Sequence, residues 1–133
     1  MGAEKSLSET SVKDIMTKAI ISVDPSTTVF QVAMMMEKGG IGAVLVKKGG
    51  NSAGIITDRD FAVRIATQKH SLETPVDKVA SYPLQTINSS ESIFVAADQM
   101  SSKKIRKLAV VEDDKIVGII TSTDLVNQLA KEK

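Results

Sequence analysis

The sequence contains no cysteine or tryptophan, and it has a single histidine among its 133 residues. The absence of cysteine excludes disulfides, thiol catalysis and thiolate metal sites. His70 lies in a polar stretch without a second histidine, so neither a two-histidine metal site nor a nucleophile–base–acid set can be built around it. These absences predict that the chain is not an enzyme and binds no metal and no cofactor.

Aromatic residues make up only 3% of the chain, so the core has to be built from Ile, Val, Leu, Ala and Met. No apolar run approaches the length of a membrane span, and residues 1–10 are polar rather than signal-like. We therefore expect no membrane association and a cytoplasmic location.

Charge is nearly balanced, with 17 Lys and Arg against 16 Asp and Glu. This balance gives no global field for a phosphodiester backbone and argues against nucleic acid as a partner. The densest basic cluster contains Lys103, Lys104, Arg106 and Lys107. A solvated helix end and a phosphate anchor both fit this cluster, whereas a nucleic-acid surface would need interleaved aromatic residues.

The string "GIITDRD" at residues 54–60 returns as "GIITSTD" at residues 118–124, and 118 − 54 gives an offset of 64. The same offset pairs Val12 with Val76 and Val29 with Ile93 without a gap. Apolar character is preserved through each element along most of the chain. The sequence is therefore one unit repeated twice.

Each repeat predicts the element order β-α-β-β-α. Short β-branched strands are expected at 20–23 and 84–87, and apolar residues spaced i, i+3, i+4 and i+7 predict helices beginning near Val29 and Ile93. Strand pairs at 43–46 with 53–57 and at 108–111 with 116–121 predict two hairpins, each followed by a helix, the first from Asp58 to about Gln68.

The predicted fold is α/β (α+β), with two repeats packed sheet to sheet about a pseudo-twofold axis. Residues 11–69 form repeat 1, residues 74–131 form repeat 2, and residues 1–10 are expected to be a flexible N-terminal segment. A single repeat of this size would be marginally stable alone.

Thr57 and Thr121 each end a predicted strand, three residues before Asp60 and Asp124. This spacing is typical of a helix capping box. However, both repeats keep the whole string Gly-Ile-Ile-Thr, which capping alone would not require, and both use aspartate where glutamate suits a capping box better. A helix N-terminus can bind phosphate, and an adjacent carboxylate can accept from both hydroxyls of a ribose. Capping and nucleotide binding are compatible.

The repeated unit resembles the cystathionine β-synthase (CBS) domain in a tandem pair, of the stand-alone archaeal and bacterial type. The resemblance rests on "VKDIMTKAIISVDPSTTV" and "GIITDRDF" in the first half and on "IRKLAVVEDDKIVGIITSTDL" in the second. It covers residues 11–131. It implies binding of an adenine nucleotide or S-adenosylmethionine in clefts between the repeats, with the threonine and aspartate of Gly-x-x-Thr-x-x-Asp meeting phosphate and ribose.

Carried over by position, the resemblance implies two sites. The site with the repeat 2 motif would contain Thr121, Asp124, Ile119, Thr17, Lys18, Ala19, Ile20, Ile41 and Gly42. The site with the repeat 1 motif would contain Thr57, Asp60, Ile55, Arg59, Ser81, Tyr82, Pro83, Ile105, Arg106 and Lys107. Because Gly42 and Ala43 replace Arg106 and Lys107 in the first repeat, the sites are expected to be unequal.

The resulting hypothesis is a regulatory module that senses an adenosine-containing ligand (AMP, ADP, ATP or S-adenosylmethionine) and signals to an unknown protein target. A homodimer of pairs is implied, formed by the helices around Phe61 and Leu125. The alternative is a structural or interaction module that binds no ligand, or one that binds nucleic acid through the basic cluster.

Overall fold

In the computed structural model, residues 9–131 are described. They form two compact units. The central unit contains residues 20–84, and the terminal unit combines residues 9–19 with residues 85–131. The elements, in chain order, are α1 (Val12–Ile15), β1 (Ser22–Val23), α2 (Val29–Gly39), β2 (Ala43–Lys48), β3 (Asn51–Thr57), α3 (Asp58–Asp60), β4 (Thr86–Asn88), α4 (Ile93–Lys103), β5 (Lys107–Glu112), β6 (Lys115–Thr121) and α5 (Ser122–Ala130).

Each unit contains a three-stranded sheet with the same topology. The orders are β1-β2-β3 and β4-β5-β6, and in each sheet the first pair of strands is parallel and the hairpin pair antiparallel. Both hairpins change register at equivalent points, after Val46 in β2 and after Val110 in β5. The internal repeat of the sequence is thus a repeat of structure within each unit.

The long helices begin where their sequences predict. The Thr28 hydroxyl accepts a hydrogen bond from the Gln31 amide at 3.1 Å, and the Gln31 side chain accepts from the Thr28 amide at 2.9 Å. At the other end Gly40 adopts φ 61°, a left-handed conformation that suits glycine and ends α2. Ser92 caps α4 through its hydroxyl.

Each core includes a short segment from the start of the other repeat. In the central unit, Val76, Val79 and Ala80 pack into the cluster that contains Val44 and Ile56. In the terminal unit, Val12 is fully buried within a second cluster, whose other buried members are Ile87, Ala96, Met100, Leu108, Val110 and Ile120. We call residues 12–19 and 76–83 the lead-in segments.

The predicted α+β fold class is confirmed, with differences in element length. The parallel strands are shorter than predicted, at Ser22–Val23 and Thr86–Asn88. The helix after β3 is α-helical only over Asp58–Asp60 and continues as a π-helical turn over Phe61–Ile65, rather than running to Gln68. The wider turn, closed by a bond from the Ala66 amide to the Phe61 carbonyl, leaves both Phe61 and Ile65 packed on the core.

The repeat boundaries at 11–69 and 74–131 stay predictions. The compact units, 20–84 and the terminal unit, follow packing and do not coincide with the repeats of the sequence. Of the predicted flexible segment 1–10, residues 1–8 lie outside the described residues. Thr10 is buried, and its carbonyl accepts from the Ile93 amide at 3.2 Å. Within the described residues, no helix combines the length and apolar character needed to cross a membrane.

Candidate functional site

The second junction, residues 118–124, lies where β6 runs into α5 in the terminal unit. The Thr121 amide donates to Asp124 Oδ2 at 2.9 Å, and the Asp124 amide donates to the Thr121 hydroxyl oxygen at 3.1 Å. This reciprocal pair is a capping box. Among the described residues Asp124 Oδ1 has no hydrogen-bond partner, and the side chain is half-buried. The cap therefore leaves one carboxylate oxygen available for a ligand.

The first junction, residues 54–60, also forms a capping box, in the central unit, but its side chains make further bonds. Both the amide and the hydroxyl of Thr57 donate to Asp60 Oδ2, at 2.7 and 3.0 Å. Asp60 Oδ1 lies 3.8 Å from Nη1 of Arg64, and that nitrogen donates to the Ser81 hydroxyl oxygen at 3.2 Å. Both oxygens of this carboxylate are thus engaged within the unit.

The lead-in segments lie directly against the junction strands. Thr17 exchanges two backbone hydrogen bonds with Ile119, at 2.8 and 2.9 Å, and Ser81 exchanges two with Ile55, at 3.1 and 2.9 Å. The residue one position before each bonded isoleucine is a glycine. A Cβ on Gly118 would lie 2.7 Å from the Thr17 carbonyl oxygen.

This close approach gives a packing reason for the repeated Gly-Ile-Ile-Thr. The glycine admits the lead-in backbone, the next residue pairs with it, and the second isoleucine, Ile56 or Ile120, is fully buried. Packing thus accounts for the repeated glycine and isoleucine, and the prediction that the threonine and aspartate of the string bind a ligand stays a prediction. The string has a structural function that is independent of any ligand.

Tyr82 lies beside the first junction. Its ring carbons Cε1 and Cδ1 would lie 2.5 and 2.7 Å from a Cβ on Gly54, and Lys48 Nζ is 5.0 Å from the ring centre. The phenol donates to Asp77 Oδ1 at 2.8 Å. Burial, together with this hydrogen bond and the negative charge of Asp77, raises the pKa of Tyr82 to about 12. The phenol remains a protonated donor at physiological pH.

Other predicted site residues divide between the units. In the terminal unit, Lys18 and Ala19 follow Thr17 and are exposed. The Arg106 carbonyl accepts a hydrogen bond from the Ser122 amide at 2.9 Å. Ile105 and Lys107 flank Arg106 in the chain. The Arg106 backbone therefore stands at the start of α5, beside the second junction.

In the central unit, the Gly42 carbonyl accepts from the Asp58 amide at 3.0 Å, the equivalent bond at the first junction. Ile20 and Ile41 are half-buried, whereas Arg59 and Pro83 are exposed. Assignment of residues 41–42 to the repeat 2 motif and of residues 105–107 to the repeat 1 motif stays a prediction.

Sequence interpretation missed the bonds of Arg64. An aspartate and an arginine at i and i+4 on a helix are neighbours, so the Asp60–Arg64 pair had a recognisable signal. The further bond to Ser81 had none, because nothing local in the sequence relates residues so far apart. Within residues 9–131, no group of three or more His, Cys, Asp or Glu side chains is placed to hold a metal ion.

Comparison with known proteins places these features in a family. The CBS domain family model matches residues 12–67 and again residues 76–131. The chain is 37% identical over 123 residues to the CBS domain-containing protein YhcV of Bacillus subtilis, covering 92% of this chain and 88% of that protein. Two longer relatives, from Methanopyrus kandleri and Methanocaldococcus jannaschii, are 31% and 32% identical, and the chain spans 61% and 29% of their lengths.

Solved structures agree in fold. An uncharacterised conserved protein from Pyrococcus horikoshii is 28% identical, with a TM-score of 0.85 and 95% of each chain covered. The CBS domain pair of protein MJ0100, solved in complex with 5′-methylthioadenosine and S-adenosyl-L-methionine, is 27% identical, with a TM-score of 0.83 and coverage of 93% of this chain and 98% of that one. With both halves matched by the family model and YhcV covered along most of its length, this chain belongs to the CBS domain family.

Proposed function

We propose that this chain is a regulatory module that binds an adenosine-containing ligand at its Thr-x-x-Asp junctions and reports to a partner chain. The observation that carries the proposal is Oδ1 of Asp124, which has no hydrogen-bond partner within residues 9–131, on a carboxylate held in place by the bond from the Thr121 amide to Oδ2 at 2.9 Å. A fixed carboxylate oxygen without a partner is suited to accept from a ribose hydroxyl. Membership of a family in which MJ0100 is solved with two adenosine compounds supports this ligand class.

The ligand's anionic end has suitable donors at the second junction. The Thr121 hydroxyl accepts from the Asp124 amide, so its own proton is free to donate. The start of α5 contributes the positive end of a helix of nine residues. Arg106, exposed and tied by its backbone to Ser122, adds a positive charge nearby. These groups favour a phosphate or carboxylate beside the ribose.

Signalling is the further part of the proposal. A ligand shifts a conformational equilibrium only by its difference in affinity for the two states. An adenosine ligand that engages Asp124 would have to favour one conformation, which a partner chain then recognises. The predictions that the chain is not an enzyme and that it acts on a protein target belong to this proposal.

The proposed homodimer would use the helices that follow the junctions, but through other side chains than expected. Phe61 and Leu125 are half-buried against their own cores. The exposed apolar side chains of these helices are Val63, Val126 and Leu129, with 48, 62 and 56% of their surface accessible.

Thermal unfolding with AMP, ADP, ATP and S-adenosylmethionine tests the function. At about one hundred times its dissociation constant, a ligand should add roughly 2.7 kcal/mol to the free energy of unfolding. Asp124→Ala should reduce the ligand-induced shift to that of the first junction, whereas Asp98→Ala, which removes an exposed carboxylate on α4, should retain the full shift. The shift is compared within each variant, because loss of the cap also lowers stability.

The alternative is a module that binds no ligand. Its support is that the capping boxes are sufficient to explain the Thr-x-x-Asp spacing. It predicts that no compound shifts the unfolding of the well-folded protein. Binding through the basic cluster instead would weaken steeply with salt. Lys103 Nζ in that cluster already donates to Gln85 Oε1 at 2.7 Å, which leaves fewer free cations for a nucleic acid.

A further inference from the structure

Arg64 links two predicted ligand-binding groups of the first junction. Its Nη1 lies 3.8 Å from Asp60 Oδ1 and donates to the Ser81 hydroxyl oxygen at 3.2 Å. The Asp60 side chain retains 16% of its accessible surface and the Arg64 side chain 38%. The guanidinium therefore lies over a largely buried carboxylate and covers the oxygen to which a ribose hydroxyl would otherwise donate.

The second junction lacks this contact. The offset of 64 places Gln128 at the position of Arg64 and Thr17 at the position of Ser81. Among the described residues, neither side chain hydrogen-bonds to Asp124, and Oδ1 of that carboxylate has no partner. At the second junction a neutral glutamine therefore stands at the position that the arginine occupies at the first.

The two junction threonines also differ in whether the hydroxyl proton is already bonded within the chain. The Thr57 hydroxyl donates its proton to Asp60 Oδ2 at 3.0 Å, whereas the Thr121 hydroxyl accepts from the Asp124 amide at 3.1 Å and keeps its proton. A single hydroxyl has one proton to donate. Both polar side chains of the first junction are therefore satisfied internally, and both of the second can bind a ligand.

We propose that Arg64 is a specificity-determining residue that covers the ribose-binding groups of the first junction from within the chain and so directs an adenosine ligand to the second junction. This inference rests on the proposed function. A nucleoside entering the first junction has to displace the guanidinium from Asp60 and Ser81 before its own hydroxyl can bind, and the second junction requires no such displacement.

The displaced contact is partly solvent-exposed, so its strength is modest. Exposed ion pairs are typically worth no more than about 1 kcal/mol. Since a tenfold change in affinity corresponds to about 1.4 kcal/mol, removal of Arg64 should strengthen binding at the first junction by about fivefold.

Reciprocal substitutions in the full-length chain test the proposal, with each junction measured alone. Asp124→Ala leaves the first junction as the only intact site, and in this background Arg64→Gln gives the first junction the residue of the second. Asp60→Ala leaves the second junction as the intact site. In this background Gln128→Arg gives the second junction the arginine that the first junction has at the equivalent position. Lys38→Gln, which removes an exposed positive charge on α2 of the central unit, away from the lead-in segment, serves as the matched control.

Isothermal titration calorimetry with 5′-methylthioadenosine and with AMP gives the affinities. The proposal predicts that, for whichever probe binds, Arg64→Gln strengthens binding about fivefold, Gln128→Arg weakens it by a similar factor and Lys38→Gln leaves it unchanged. If Arg64→Gln fails to strengthen binding, or weakens it, while the second junction still binds, the Arg64 proposal is overturned and the proposed function stands.

If neither probe binds the wild-type chain or any variant, the proposed function itself fails, and the Arg64 proposal fails with it. Thermal unfolding of each variant confirms folding. For a variant that does not fold, Arg64→Lys replaces Arg64→Gln and Gln128→Lys replaces Gln128→Arg. A lysine cannot span Asp60 and Ser81 with a planar guanidinium, so Arg64→Lys should give a smaller gain, and an unchanged affinity again overturns the proposal.

Discussion

Substitution of Gly118 by alanine tests whether the lead-in segment is held against β6. A Cβ at this position would lie 2.7 Å from the Thr17 carbonyl oxygen and 2.7 Å from Met16 Sδ, whereas ordinary contact begins at 3.4 Å. The methionine side chain can rotate away, but the carbonyl can move only with its backbone. The lead-in must therefore retreat by 3.4 − 2.7 = 0.7 Å.

That movement weakens two hydrogen bonds. The Thr17 amide donates to the Ile119 carbonyl at 2.8 Å and the Ile119 amide to the Thr17 carbonyl at 2.9 Å, so a retreat of 0.7 Å brings both near the limit of a hydrogen bond. Each bond contributes about 1 kcal/mol. Gly118→Ala should thus lower the free energy of unfolding by about 2 kcal/mol, equivalent to a fall of roughly 8 °C in Tm for a chain of this size.

Urea denaturation followed by circular dichroism measures this change, and Gly39→Ala is its matched control. A Cβ on Gly39, the last residue of α2, would meet Ile41 side-chain atoms at 3.6–3.8 Å, which is ordinary contact. This control should be neutral or stabilising by up to about 1 kcal/mol. Equal urea midpoints for Gly118→Ala and wild type would refute the close approach of the lead-in to Gly118. An equally large loss of unfolding free energy in Gly39→Ala would show that the loss in Gly118→Ala does not come from the lead-in segment.

Three further predictions concern single side chains. Because Tyr82 is the chain's one tyrosine and its pKa is raised from 10.0 to about 12, absorbance at 295 nm should report a midpoint near 12, and Asp77→Asn should lower it. The contribution of this raised pKa to the free energy of unfolding is complete below pH 10 and is lost as the pH rises through about 12. A titration midpoint near 10 would contradict the contacts that bury and hydrogen-bond Tyr82. Thr121→Ala should cost about 1 kcal/mol in urea denaturation through loss of the α5 cap, and no loss would mean that the capping box is dispensable. Leu108→Ala, at a fully buried position, should cost about 3 kcal/mol, whereas Val126→Ala on the exposed face of α5 should stay within about 0.5 kcal/mol, and similar costs would contradict the assigned core.

The elements of the fold were largely predictable because they depend on local patterns. The spacing of Val29, Val32 and Met36 predicts the buried face of α2, and all three are buried. The exchange of lead-in segments was implied only by the family resemblance and by no pattern in the residues, because each exchange rests on two backbone bonds between residues distant in sequence, such as Thr17 and Ile119. Strand pairing this short leaves no periodic signal.

The positions of the candidate site residues were predictable from the sequence, but the hydrogen bonds of their side chains were not. Thr-x-x-Asp spacing predicts both junctions, and the capping geometry at Thr57 and Thr121 follows from it. Which oxygen of each aspartate is free depends on tertiary contacts. Arg64 reaches Ser81 only because the second lead-in segment lies beside the first junction, and this could not be inferred from either sequence segment alone.

Ribose recognition at the second junction is the central claim, and paired calorimetric titrations with AMP and 2′-deoxy-AMP at one salt concentration test it most directly. A hydrogen bond to a charged carboxylate contributes about 1.5–3 kcal/mol, so loss of the 2′-hydroxyl should weaken binding at least tenfold in the wild-type chain. In the Asp60→Ala/Asp124→Ala double variant, which lacks both carboxylates, the two nucleotides should bind equally weakly, whereas Asp60→Ala alone should keep the preference. Equal affinities of wild type for the two nucleotides, or loss of the preference in Asp60→Ala, would contradict the claim.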